Sequence, residues 1–296
     1  MEITVLGTAG STPTKERNVS STFLSYKAEG ILFDCGEGTQ RQMKIAGIPL
    51  SKITRIFITH WHGDHVIGLP GLLQSMGLSD HQGAIDVYGP QDTRERIAFA
   101  FKAFEFDRKL NLRVHEVKTG TILETDDFTV ECLPLKHRIA CVGYRFAEKD
   151  KRKMDAKLLK KHNVPFGPQV GKLQEGSVVT IDGKKVTPDM VSEVVTGTKV
   201  AYVMDTATCA NAIKLAQDVD LLISESTYHS DMADQAHEYA HMTAQEAAQI
   251  ASQANAKRLL LTHFSARYKD VNVLEEDARA VFDNAQAAKD FMKIKL

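Results

Sequence analysis

The run His60-Trp61-His62-Gly63-Asp64-His65 places four metal-ligand side chains within six residues, directly after an apolar segment, Ile53–Thr59, that reads as a strand. On a helix, positions 60, 62 and 64 would splay around the axis. On a loop leaving a strand they can converge, and Gly63 lets the backbone bend tightly enough for that. Imidazole suits borderline metals such as zinc, and one carboxylate among three histidines suits a site that also holds a water. A loop of solvated polar side chains is the alternative. It gives no reason for three histidines to crowd six positions of a chain that has only 11.

His137, Asp205 and His263 also lie at or near the ends of expected strands. Singly, each reads as an ordinary surface or satisfied core residue. Together with the cluster they supply a third ligand, a bridge and a distal ligand of a two-metal site. Two dications a few ångströms apart repel strongly unless an anion lies between them, and Asp205 is the expected bridge.

The elements that must position these side chains alternate. Strands are expected at Ile3–Leu6, Thr22–Tyr26, Ile31–Phe33, Ile53–Thr59, Ile85–Tyr88, Leu112–Val117, Phe128–Leu133 and Cys141–Phe146, with helices over Glu37–Ala46, Leu69–Leu78 and Thr93–Phe104. The consecutive strands after residue 112 exceed a pure βα alternation and point to a mixed α/β architecture. Beyond residue 200, strands at Val200–Met204, Leu221–Ser224 and Arg258–Thr262 alternate with helices over Asn211–Gln217, Ala244–Ala254 and about 274–288. Strand ends are where such proteins keep their sites, and His60, Asp205 and His263 all follow one.

Between the halves the chain changes character. Residues 149–161 hold seven Lys or Arg against two Asp. Pro165-Phe166-Gly167-Pro168, Gly171 and Gly176 then mark turns, and Asp182-Gly183 between Val178–Ile181 and Lys185–Thr187 is a two-residue hairpin signal. This stretch reads as an excursion from the core.

The 296 residues, 43% hydrophobic with a net charge of −1, exclude disorder, collagen and a disulfide scaffold. Cys35, Cys132, Cys141 and Cys209 are scattered, with no C-x-x-C pair. The start of the chain shows no export signal and no apolar stretch approaches the roughly 20 residues of a membrane span, so a cytoplasmic protein without membrane contact is expected.

H-x-H-x-D-H with downstream His, Asp and His resembles the metallo-β-lactamase superfamily. More specific runs resemble its tRNase Z family, short form, the endonucleases that trim the 3′ end of precursor tRNA. These are Pro13-Thr14-Lys15-Glu16-Arg17-Asn18, Phe33-Asp34-Cys35-Gly36-Glu37-Gly38-Thr39-Gln40, Ser224-Glu225-Ser226-Thr227, His241-Met242-Thr243 and Leu261-Thr262-His263-Phe264-Ser265 followed by Arg267-Tyr268. Where the family often has Gly-Asp-Thr-Arg-Pro, this chain has Met204-Asp205-Thr206-Ala207-Thr208; Ser226 and Met242 also depart from the commoner residues.

The resemblance implies a four-layer αββα sandwich over residues 1–296, with a protruding basic arm at about 150–176 that grips tRNA. It implies two Zn2+ per subunit, with Mn2+ as a substitute: His60, His62 and His137 on one, Asp64, His65 and His263 on the other, Asp205 between. Asp64 becomes the general base, the alternative being a ligand only, and His241, oriented by Glu225, the general acid. Lys15, Arg17 and Arg267, with Lys153, Lys157, Lys160, Lys161 and Lys172 of the arm, become contacts to precursor tRNA. It further implies a homodimer in which one subunit's arm serves the other's site. His81, His115, His162, His229 and His237 are left as structural or solvated. Two rival functions remain at this point: a dinuclear hydrolase of a small phosphodiester or thioester, which needs no arm, and a non-catalytic RNA-binding protein, which would lack a ligand.

Overall fold

The computed structural model describes residues 1–79, 83–105 and 110–296; His81 lies outside them. The chain divides into two compact units, the larger made of Met1–Glu124, Val130–Phe146 and Lys199–Leu296. It begins with β1 (Glu2–Gly7), β2 (Ser21–Tyr26), β3 (Glu29–Phe33), β4 (Arg55–Phe57), β5 (Ala84–Gly89) and β6 (Asn111–Glu116), which lie side by side in that order. Helices α1 (Thr39–Ile45), α2 (Gly63–Val66), α3 (Gly68–Leu78) and α4 (Thr93–Ala103) are threaded between them. Three further strands, β7 (Gly120–Glu124), β8 (Phe128–Pro134) and β9 (Val142–Glu148), enter a second sheet.

The smaller unit, Thr125–Thr129 and Ala147–Thr198, holds β10 (Lys151–Met154), α5 (Ala156–Lys161), α6 (Pro168–Gln174), β11 (Val179–Ile181), β12 (Lys184–Val186), α7 (Pro188–Val191) and β13 (Ser192–Val195). The chain then returns through β14 (Lys199–Val203), α8 (Ala210–Ala216), β15 (Leu221–Glu225), α9 (Ala233–Glu238), α10 (Ala244–Gln253), β16 (Leu259–Thr262), α11 (Asn272–Arg279), β17 (Ala285–Ala287) and β18 (Lys293–Lys295). The second sheet has the order β17-β16-β15-β14-β9-β8-β7, and β18 closes the first sheet beside β1. Strands β14 to β17 run parallel, and β14 to β16 are apolar and buried along almost their whole length, as parallel strands covered on both faces must be.

The two sheets pack face to face through aromatic side chains. Phe33 of β3 stacks 5.0 Å from Tyr202 of β14, and Phe57 of β4 meets Tyr144 of β9 at 5.1 Å. On its other face the first sheet buries Leu32, Ile56 and Val87 against Met43 of α1, Leu72 and Met76 of α3 and Ile97 of α4. The second sheet buries Ala201, Leu222 and Leu261 against Leu215 of α8, Ala247 and Ala251 of α10 and Leu274 of α11. Helix, sheet, sheet and helix therefore follow one another, in the layer order expected.

Two sequence expectations need correction. The strand before the cluster is shorter than Ile53–Thr59, covering Arg55–Phe57. The last helix stops at Arg279, and Ala285–Ala287, inside the expected helix over 274–288, is strand β17 in register with Leu259–Leu261 of β16. Alanine favours helices, but pairing with a buried parallel strand overrides that preference.

Within the smaller unit, β10 pairs antiparallel with β13 and β11 with β12. Both turn residues of that hairpin, Asp182 (φ 48°) and Gly183 (φ 76°), are left-handed, as the Asp-Gly signal requires. Leu159, Leu173, Val179, Val186 and Val191 form its own small core. Asp155 caps α5 by accepting from the amides of Lys157 (2.7 Å) and Leu158 (3.2 Å). The basic window is offset inside the unit. Lys151 pairs with Glu148 and Asp127, Arg152 with Asp189 and Lys153 with Glu193. The unit as a whole carries ten Lys or Arg and nine Asp or Glu, so its basic character is local to one segment.

Candidate metal centre

The ligand-type residues sit where strands of the larger unit end. His60 and His62 lie on the loop after β4, while Asp64 and His65 lie on the one-turn helix α2, so the cluster is loop in its first half and helix in its second. On the extended loop alternate residues face opposite ways: Trp61 turns into the apolar core, its ring N–H donating to Thr93 (2.9 Å). His137 follows β8, Asp205 follows β14, Glu225 ends β15 and His263 follows β16. Asp34, Asp205 and His263 have φ of 54°, 37° and 60°, a left-handed geometry that non-glycine residues adopt at a cost and that clusters at functional sites.

Three groups of ligand atoms each lie within 4.8 Å of one another: His60, His62, His137 and Asp205; Asp64, His65 and His263; and Asp205, His241 and His263. All seven expected ligands are thus brought together, with Asp205 shared. His241, expected only as an acid, also faces the shared carboxylate, its Nε2 4.0 Å from Asp205.

Two buried carboxylates orient the imidazoles in the same manner. Asp34 accepts directly from His65 Nδ1 (2.8 Å) and from the Thr59 hydroxyl (3.0 and 2.9 Å), which in turn meets His60 Nδ1 (3.0 Å). Glu225 accepts from His241 Nδ1 (3.0 Å) and from the Thr227 hydroxyl (2.6 Å), which meets His263 Nδ1 (2.9 Å). His137 Nδ1 donates to the Ala240 carbonyl (3.1 Å). Carbonyl and carboxylate oxygens only accept, so in a neutral ring the proton sits on Nδ1 and the Nε2 lone pair points inward.

The inward nitrogens crowd. His60 Nε2 and His62 Nδ1 are 3.0 Å apart, His62 Nδ1 and His137 Nε2 3.1 Å, and His65 Nε2 and His263 Nε2 3.3 Å. Lone pairs converging at such distances repel unless a cation takes them. Asp205 Oδ1, wholly buried, has no hydrogen-bond donor, although His263 Nε2 lies 3.1 Å away and His65 Nε2 3.3 Å. An orphaned carboxylate oxygen between two groups of imidazoles is the arrangement that metal ions satisfy.

The electrostatics divide across the cluster: against its burial His65 is raised well above the usual imidazole range by Asp205 and Asp34, and against its burial Asp64 is held far below the usual carboxylate range by His263 and His65. Burial depresses the His60 pKa to about 4, favouring the neutral, ligating ring. Against its burial, Asp205 is held well below the usual carboxylate range by His263, His65 and His60. Glu225, also buried, is lowered by His241. In return Glu225 overcomes the burial of His241 and raises its pKa to about 9.

The remaining expected residues fare unequally. Lys15 is exposed and has no ion pair among the described residues. Arg17 is half-buried, and one of its guanidinium nitrogens donates to the Ser265 carbonyl (3.3 Å). Arg267 lies over the Tyr228 ring (5.1 Å) and donates to Gln235 (3.1 Å). Lys157, Lys160, Lys161 and Lys172 are exposed and make no ion pair among the described residues. His115 pairs with Asp86, His229 with Asp231 and His237 with Glu246, away from the cluster. Thr206, in the run that departs from the family pattern, donates its amide to Glu225 (2.7 Å) and accepts from the Lys136 amide (3.0 Å).

Sequence reasoning assigned no role to Asp34, Thr59 or Thr227, or to the Ser11 amide, which donates to Asp64 (2.7 Å). Asp34 and Thr227 stood inside motifs already noticed, each at or just past a strand end, and that position was the available signal.

Comparison with known proteins agrees with this architecture. Residues 1–151 match the family profile "Anti-Pycsar protein Apyc1" and residues 170–264 the "Beta-lactamase superfamily domain". A ribonuclease Z of Rippkaea orientalis is 45% identical over 99% of this chain and 96% of its own length; one of Methanothermobacter thermautotrophicus is 42% identical over 100% and 97%. The crystal structure of human tRNase Z, short form, superposes with a TM-score of 0.75 at 29% identity, covering 100% of this chain and 99% of that one. With the metallo-β-lactamase fold in place and ribonuclease Z relatives matching it from end to end, the chain belongs to the ribonuclease Z family.

Proposed function

We infer that this protein is an endoribonuclease that removes the 3′ trailer of precursor tRNA near the discriminator base, leaving a 3′-hydroxyl on the tRNA. The observation that carries the reading is a cluster of histidines and aspartates able to hold metal, in a chain that ribonuclease Z relatives match over its full length.

Two Zn2+ per subunit fit the donor set, His60, His62 and His137 around one and Asp64, His65 and His263 around the other, with Asp205 between; Mn2+ fits the same atoms. Bound there, such ions supply a hydroxide nucleophile at neutral pH and neutralise charge on the phosphoryl oxygens. The residues do the rest. Asp64 is held by the Ser11 amide and takes up the proton of the attacking water. His241, anchored through Nδ1 on Glu225, turns Nε2 toward the cluster and delivers a proton to the departing 3′ oxygen as the P–O bond breaks. Thr227 joins His263 to the same carboxylate, so ligand and acid share one fixed reference.

Lys15, Arg17 and Arg267 contact RNA near the cleavage site. The smaller unit acts as the arm: Lys153, Lys157, Lys160, Lys161 and Lys172 neutralise tRNA phosphates, reading shape rather than sequence because an A-form groove hides its bases. Each neutralised phosphate contributes about −0.9 to the log–log salt slope on a duplex. We place one subunit's arm on the tRNA bound by its partner in a homodimer. Mixed dimers of an arm-deleted subunit with an Asp64→Ala subunit then recover activity that neither parent has; failure to recover it contradicts the arrangement. No described helix is long and apolar enough to cross a membrane, and we place the enzyme in the cytoplasm.

The test is cleavage of an end-labelled precursor tRNA with a 3′ trailer and no encoded CCA, with and without chelator, beside Asp64→Ala. One metal-dependent cut near the discriminator base, absent in the variant, is expected. The near balance of charge in the smaller unit favours a second reading, a hydrolase of small phosphodiesters. Hydrolysis of bis(p-nitrophenyl) phosphate with no cut in the tRNA would establish it.

A further inference from the structure

The segment between β1 and β2 is fixed at both ends by carboxylates. At its start the Ser11 amide donates to Asp64 (2.7 Å), and Gly10 packs so closely on the His263 ring that an added Cβ would stand 2.6 Å from its Cε1. At its tip Thr14 closes a tight turn: its amide donates to the Arg17 carbonyl (2.8 Å) and its hydroxyl accepts from the Arg17 amide (2.9 Å), leaving Lys15 exposed. At its end the Asn18 amide donates to Asp290 (2.7 Å), a residue of the C-terminal segment 272 positions away. Asp290 also accepts from the hydroxyl of Thr8 (2.8 Å), where β1 ends, and from the side-chain amide of Gln42 on α1 (3.2 Å).

Asp290 touches no ligand of the metal cluster, yet it joins the base of the Lys15 turn to β1, α1 and the C-terminus. We propose that Asp290 is a positioning residue for substrate: it holds the Thr14–Arg17 turn in register with Asp64, so that Lys15 and Arg17 meet the RNA phosphates beside the scissile bond. Three donors converge on one carboxylate that chemistry at the cluster does not use, and the partners lie on both sides of the turn. Loss of a hydrogen bond to a charged group lets such a turn drift. Drift of a substrate-binding turn costs productive binding of the large substrate, and a substrate too small to reach Lys15 does not register it. The inference rests on the reading of Lys15 and Arg17 as RNA contacts.

The experiment compares wild type, Asp290→Ala, Asp290→Asn and Lys15→Ala as intact, metal-loaded protein. KM and kcat are measured for precursor tRNA and for bis(p-nitrophenyl) phosphate, and metal content is measured directly. Asp290→Ala is expected to raise KM for precursor tRNA about 10-fold, with the small-phosphodiester kcat and the metal content unchanged. Asp290→Asn recovers most of the loss, because an amide oxygen still accepts from Asn18 while its NH2 donates to Thr8. Equal loss on both substrates, or lost metal, makes Asp290 a purely structural residue and overturns the proposal. A raised KM in Lys15→Ala with none in Asp290→Ala refutes the role of Asp290 and keeps the turn as an RNA contact. An unchanged KM in Lys15→Ala refutes that underlying reading, and the inference with it.

Discussion

The metal cluster and the lysines of the smaller unit both gather charge-bearing side chains, and the protein holds them in opposite ways. In the cluster His60, His65 and Asp205 are at most 2% exposed, and four imidazoles are pinned through Nδ1 by Asp34, Thr59, Ala240 and Thr227. Lys157, Lys160, Lys161 and Lys172 stand exposed on short helices, with no ion pair among the described residues. Chemistry at a phosphorus atom needs groups fixed before substrate arrives, and buried hydrogen bonds fix them. Binding a polyanion gains from cations that stay solvated and give up counterions on contact, which pinning would not improve. The cluster is ordered by buried hydrogen bonds, and these four lysines are left without such partners among the described residues.

Variants can break this contrast. The largest effect belongs to Asp205→Ala, which removes the shared carboxylate: kcat for precursor tRNA should fall by about 10^3-fold or more, and bound metal should fall with it, read by single-turnover cleavage and elemental analysis. Glu225→Gln keeps the shape but loses the charge facing His241, so a drop in kcat of about 10^2-fold with metal retained is expected; lost metal instead would make Glu225 a support for His263 rather than for His241. Asp34→Asn acts one shell out from His65 and His60, and metal affinity measured by competition with a chromophoric chelator should weaken about 10- to 100-fold.

Changes in the smaller unit should sharpen the contrast from the other side. Lys160→Ala and Lys161→Ala together should weaken precursor tRNA binding at moderate salt and lower the log–log salt slope by about 1 per lysine, with kcat on a small phosphodiester unaltered. An unaltered slope would remove those lysines from the interface. The smallest effect on chemistry is expected from Leu173→Ala in the core of the smaller unit. It should cost about 2–4 kcal/mol locally, speed amide exchange in residues 147–198 and leave metal content and small-substrate turnover as they were.

Much of the contrast was legible in the sequence, and its limits have physical reasons. The His/Asp cluster could be read because metal binding demands rare residue types, and three histidines and an aspartate crowd one strand end. Asp182-Gly183 could be read because few residue pairs tolerate two left-handed backbones in succession. Asp34 could not be assigned a task, because its partners Thr59 and His65 reach it through the pairing of β3 with β4, which no local pattern encodes. Nor could the +5 window at residues 149–161 reveal its own offset: Asp127, Asp189 and Glu193 lie outside it in sequence and beside it in the fold. Strand β17 was misread for a similar reason, since its register with β16 and not its composition makes it a strand.

The proposed division of labour between the two units is tested most directly by removing most of the smaller one. The Glu148 amide donates to the Thr198 carbonyl (2.9 Å), so the two ends of the excursion are neighbours and a short Gly-Ser turn can replace residues 149–197. The measurement is kcat/KM of this variant and of wild type on precursor tRNA and on bis(p-nitrophenyl) phosphate at equal metal loading. The account predicts a loss of about 10^2-fold or more on precursor tRNA, with small-phosphodiester hydrolysis within about twofold of wild type. Parallel loss on both substrates, or none on the tRNA, would contradict it.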